Sequence, residues 1–152
     1  MNRFMSEAIK EAYSGIDNYD GGPFGSVIIN DQNVIVGRGH NRVIKNNDCT
    51  CHGEMEAIRD ACKNLGTFDL SGCKLYTTSY PCPMCSGAIL WANIDKVYYG
   101  CNVQDAEEIG FRDKSFEEFL GGDTGNFFEE VDRSECKDLF KSYKEKPYNT
   151  AY

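Results

Sequence analysis

Apolar residues near the start of the chain recur with a helical period. Phe4, Met5, Ala8, Ile9, Ala12, Tyr13 and Ile16 follow that spacing with polar residues in most of the gaps, which predicts an amphipathic helix over about 3–17. Gly21-Gly22-Pro23 breaks the pattern. Residues 24–29 and 34–37 then read as two strands rich in valine and isoleucine, joined at Asn30-Asp31-Gln32-Asn33, and therefore as a hairpin.

Past a polar loop around 45–48, Met55, Ile58, Cys62 and Leu65 mark a second helix, with Gly66 placed to end it. His52 and Glu54 fall at its start. Residues 74–79 are β-branched and aromatic and predict a strand, 83–93 a helix, and 96–100 a further strand. A hairpin followed by alternating helices and strands implies an α/β domain with a partly parallel sheet. Beyond Asp105 the pattern weakens: short helical pieces over 107–120, a strand at 127–131, a helix over 134–144, and a tail with no packing pattern.

Length and composition narrow the class. The 152 residues, 41% of them hydrophobic, fit one domain with one core. Eight cysteines would indicate a disulfide framework in a small secreted protein, but the first residues carry no apolar run of the signal-peptide kind. Reduced thiols and a cytoplasmic location are expected. No stretch approaches the roughly 20 apolar residues of a membrane span. The net charge of −8, with only 16 Lys and Arg, repels phosphate backbones and argues against a nucleic-acid partner.

Against that background two short motifs carry the chemistry. Cys51-His52-Gly53-Glu54 is followed by Pro81-Cys82-Pro83-Met84-Cys85. His52, Cys82 and Cys85 make a soft three-ligand set for one zinc ion, and three ligands leave the fourth tetrahedral position open, as catalysis requires. Residues i and i+2 diverge by about 200° within a helix, so His52 and Glu54 can face one metal only at the helix N-terminus. Two helix starts at the ligands would favour thiolates. Glu54 then serves as a base for the attacking water. A purely structural zinc site, as in a non-enzymatic interaction module, would need a fourth ligand from Cys49, Cys51, Cys62, Cys73, Cys101 or Cys136, and would have no use for Glu54.

His-x-Glu with Pro-Cys-x-x-Cys is the signature by which zinc deaminases are recognised. Together with Gly39-His40-Asn41, Leu75-Tyr76-Thr77-Thr78, Trp91-Ala92 and Gly110-Phe111-Arg112-Asp113, it makes the chain resemble the cytidine deaminase superfamily, most closely its bacterial guanine deaminases. The resemblance implies a three-layer α/β/α fold around a mixed five-stranded sheet, a homodimer that exchanges C-terminal segments, and hydrolysis of guanine to xanthine and ammonia. It also implies that Asn41 and the backbone at Gly53 contact a free nucleobase and that Asp113 passes protons to the leaving amine. Tyr152 would close the neighbouring subunit's pocket, and Phe24 and Trp91 are expected to wall it. Judged alone, Asn41 could cap a turn, Asp113 could be a solvated charge, and Tyr152 could be ordinary terminal packing. Gly53 stands where guanine deaminases usually carry alanine, and Glu56 where many have a small hydroxyl residue. Cytosine therefore stays open as an alternative substrate, followed by the adenosine of a tRNA.

Overall fold

A computed structural model describes residues 2–147, which form two compact units that part after Glu117. In the first unit, helix α1 (Arg3–Asp17) opens on Asn2, whose Oδ1 accepts hydrogen bonds from the Phe4 and Met5 N–H groups at 2.8 and 3.2 Å. Strands β1 (Gly25–Ile29) and β2 (Ile35–His40) form the expected hairpin. The short α2 (Val43–Asn46) occupies what the sequence presents as loop. Helix α3 (Gly53–Leu65), strand β3 (Lys74–Ser79), helix α4 (Pro83–Trp91) and strand β4 (Lys96–Cys101) follow, then α5 (Val103–Glu108) and the start of α6 (Asp113–Gly121), whose last residues fall in the second unit.

The strand order is β2-β1-β3-β4, antiparallel except for the parallel β3–β4 pair. Alternation along β1 decides the layers. Ile28 faces α3 and α4 and packs with Leu75, Ala57, Ala61 and Ile89, whereas Val27 and Ile29 face α1 and pack with Phe4, Ala8 and Tyr76. Close approach of α3 is built into β2. A Cβ at Gly39 would lie 2.4 Å from the Ala57 nitrogen, so only glycine lets the helix that starts at His52 settle on that strand.

The second unit holds α7 (Arg133–Lys144), close to the expected 134–144. The strand expected at 127–131 does not form, and among the described residues the sheet has four strands, not five. The cause is local. Gly125 and Asp132 take positive φ (56° and 51°) and turn the chain at both ends of the segment. Phe127 packs edge-on against Phe119 and Phe128 and is not laid out on a pleat, and Val131 stays exposed.

Candidate active site

Two helix starts build the site. His52 is the N-cap residue of α3 and Cys82 that of α4; both take extended backbone and neither side chain caps its own helix, so both are free to point elsewhere. Pro83 at the first turn of α4 fixes the backbone there at no hydrogen-bond cost. The ligand atoms of His52, Cys82 and Cys85 lie within 4.8 Å of one another. Nδ1 of His52 is 3.5 Å from Sγ of Cys82 and 3.6 Å from Sγ of Cys85. Zinc bonds of about 2.0–2.1 Å to nitrogen and 2.3 Å to sulfur, at tetrahedral angles, need N···S separations of about 3.6 Å. The residues therefore fit the ion. No fourth imidazole or thiol joins this cluster among the described residues. Cys51, next in sequence to a ligand, instead faces Asn46 and Arg59, which donate to its Sγ at 3.5 and 3.8 Å.

Charge is prepared at the same place. The Cys82 thiol is pulled down to about 4 by Cys85, which donates to it, and by His52, although burial opposes the shift. Cys85 is pushed up by its anionic neighbour and by burial, and His52 is raised, first by its hydrogen bond to Cys82. The triad thus already holds one thiolate facing two helix N-termini.

Glu54 is 5% exposed, and burial pushes its carboxyl above the usual carboxylate range. Its Oε1 accepts from Thr77 Oγ1 at 3.0 Å, Thr77 in turn accepts from Ser26 Oγ at 3.0 Å, and its Oε2 lies 3.5 Å from Cys85 Sγ. A carboxyl held on one oxygen and placed beside the metal site on the other is built to carry protons.

A cavity of about 340 Å³ opens over these groups, within the range for small-molecule sites. Asn41, Phe24 and Asp113 line it with His52, Glu54 and Cys82. Asn41 does two jobs. Its Oδ1 accepts from the Val43 N–H at 3.1 Å and so caps a turn, while the buried residue also presents itself to the cavity. Phe24 meets Phe111 edge to face, ring centroids 4.7 Å apart. Asp113 is half-buried at the start of α6, and its carboxyl is raised, first by desolvation and then by Cys82. Gly53 contacts the backbone of Phe24: a Cβ there would come 2.9 Å from the Phe24 carbonyl oxygen. The glycine thus answers to packing. Glu56 bridges Arg42 (3.1 Å) and Arg59 behind the site, tying the segment after Asn41 to α3.

Trp91 does not join the others. It sits at the far end of α4, nine residues or about 13 Å of helix from Cys82, and is 68% exposed. Tyr152 lies outside the described residues. The sequence reading missed Phe111 as a wall, Thr77 and Ser26 as supports of Glu54, and Ser79 as a lining residue. A hydroxyl run on β3 hinted at Thr77 and Ser79, whereas Ser26, on β1, gave no such signal.

With this geometry in hand, the model of the cytidine and deoxycytidylate deaminase zinc-binding region matches residues 1–101. The chain belongs to that family. It is 47% identical over 110 residues to guanine deaminase of Bacillus subtilis, covering 72% of this chain and 70% of that one. A tRNA-specific adenosine deaminase of the same organism is 40% identical over 97 residues, 64% of this chain and 59% of its own length. The crystal structure of Bacillus subtilis guanine deaminase superposes with a TM-score of 0.90 at 38% identity, covering 100% of this chain and 99% of that chain. Membership in the family makes the chain a zinc-binding one. No described helix is long and apolar enough to cross a membrane.

Proposed function

We propose that this chain is a zinc-dependent guanine deaminase, converting guanine and water to xanthine and ammonia. One observation carries the choice of substrate. The likeness to guanine deaminase extends over the whole chain, including the Phe111–Asp113 stretch beyond the family's shared region, whereas the tRNA-directed relative matches 64% of it.

His52, Cys82 and Cys85 would hold the zinc, which lowers the pKa of a water enough to make it a nucleophile near neutral pH. Glu54 is placed to take one proton from the attacking water and to pass it to the ring nitrogen next to the carbon under attack. Its raised affinity for protons, caused by burial, suits a group that must be protonated in mid-cycle. Asp113, raised in the same direction, is suited to take the second proton, released as the new hydroxyl becomes the oxo group, and to give it to the departing amine. The Phe24–Phe111 pair offers an apolar surface to a flat base, Asn41 offers polar atoms to its edge, and the Gly53 backbone lies against that of Phe24.

A cytoplasmic homodimer completes the reading. Leu90 at the end of α4, and Tyr99 on β4, an edge strand among the described residues, expose apolar surface that a second copy would cover, and light scattering would report twice the chain mass. In that dimer the subunits would exchange C-terminal segments, with Tyr152, outside the described residues, closing the partner's pocket. The deciding experiment is ammonia release by the zinc-loaded chain from guanine, cytosine, adenine, guanosine, cytidine and a tRNA anticodon loop. Guanine should be fastest; a preference for cytosine or for the tRNA loop would overturn the substrate.

A further inference from the structure

Leu75, Thr77 and Ser79 follow one another at two-residue steps on one face of β3, and all three are buried. Leu75 packs into the core beneath α3 and α4. Thr77, one step on, donates to Glu54 and accepts from Ser26. Ser79, the last step, is 5% exposed and lines the active-site cavity, yet its Oγ has no hydrogen-bond partner. Among the described residues it is the one buried side-chain oxygen or nitrogen in that condition. Folded proteins leave few such groups, because a buried hydroxyl that has given up water and gained nothing costs stability.

Its location says what it awaits. Ser79 stands two residues before Pro81-Cys82, on the strand that carries the support of Glu54, and so belongs to the reacting end of the cavity. Asn41 enters from the end of β2, two strands away, a distance of about 9–10 Å that a bicyclic base can span. A hydroxyl can accept one hydrogen bond and donate another. We infer that the Ser79 hydroxyl is a substrate-binding group that hydrogen-bonds the amino-bearing edge of the base, beside Glu54. This rests on the reading of the site as a guanine deaminase.

The test uses the full zinc-loaded chain carrying Glu54→Gln to block turnover, with and without Ser79→Ala or Ser79→Thr. Equilibrium binding is measured for guanine and for hypoxanthine, which keeps the ring system and oxo group but lacks the amino group. Ser79→Ala should weaken guanine about tenfold and hypoxanthine by less than about twofold, and Ser79→Thr should restore guanine. Because the hydroxyl is unpaired without ligand, the melting temperature of unliganded Ser79→Ala should hold or rise. Equal weakening of both ligands, unchanged guanine binding, or a fall in the unliganded melting temperature overturns the inference. A parent chain with Glu54 intact that releases no ammonia from guanine overturns the substrate reading and this inference with it. An active parent with an indifferent Ser79→Ala overturns this inference alone.

Discussion

Residues before Glu117 and those after it follow the same patterning rules and end differently. In α1 the stripe of Phe4, Ala8 and Ala12 is buried against the sheet. In α7 a comparable stripe of Leu139, Phe140 and Tyr143 stays exposed, and no residue of α7 is buried. An amphipathic pattern therefore specifies a helix and its apolar face, but burial depends on a surface to receive that face. The first unit brings its own sheet. Every group assigned to the metal and to proton transfer is held by it.

If that division is right, the largest effects come from the first unit's helix starts. Cys82→Ala or Cys85→Ala should abolish deamination and remove the bound zinc, and the apo chain should melt earlier, since metal binding to a native site is also folding energy. Elemental analysis and calorimetry check this. A folded, active variant without zinc would break the assignment of the site. Glu54→Gln should follow, with kcat lower by about 10²–10⁴-fold and one zinc per chain retained, because the shape survives and proton transfer does not. Near-normal turnover would move the proton carrier elsewhere.

The same division describes what the sequence disclosed. Helix α1 and strand β3 fall at the expected residues because each buries one face against a continuous neighbour, which is what periodicity records. His52, Cys82 and Cys85 were legible because metal chemistry restricts residue type and spacing. The 127–131 segment was not, since two bulky phenylalanines suit a strand or a ring cluster equally, and positive φ at Gly125 and Asp132 decides between them. The distance of Trp91 from Cys82 was not legible, because resemblance carries residue identity without the helical rise that separates the two. Thr77 and Ser79 needed the strand register.

Smaller effects probe the cavity wall and then the second unit. Asn41→Ala should reduce kcat/KM on guanine by about 1–3 kcal/mol through loss of a buried hydrogen bond, with zinc retained. An unchanged value would leave Asn41 only its turn-capping bond to Val43. Removing residues 149–152 should leave zinc content, melting and dimer mass unchanged while activity falls about tenfold, if the tail closes a partner's pocket and excludes water. Full activity in the shortened chain would show that the last four residues take no part in closing the pocket.

The smallest expected effect concerns how the Asn41 segment is held, and pH isolates it. Buried His40, the residue before Asn41, faces Asp20 at 2.7 Å through Nε2 and Glu11 at 3.3 Å through Nδ1. The Asp20 carbonyl also accepts from the Ile44 and Lys45 N–H groups at 3.1 and 3.0 Å, so one residue anchors both ends of the turn that presents Asn41. Hydrogen bonding from His40 holds the Asp20 carboxyl below its ordinary value of 3.8. A carboxylate depressed in the folded state stabilises it at pH values above its unfolded pKa, and the contribution is lost as pH falls through the lower, folded one. Asp20→Asn keeps the backbone bonds and a side-chain oxygen but removes the titration. The difference in melting temperature between parent and variant should therefore be largest at pH values above the unfolded carboxylate pKa of about 3.9 and shrink as pH falls through the lower, folded one. Other depressed carboxylates, such as Asp48 and Asp69, cancel in that difference because both chains carry them. KM for guanine should rise modestly with kcat nearly constant. A melting difference that does not change with pH would show that Asp20 acts through shape, and the turn before α3 would then owe its position to backbone bonds alone.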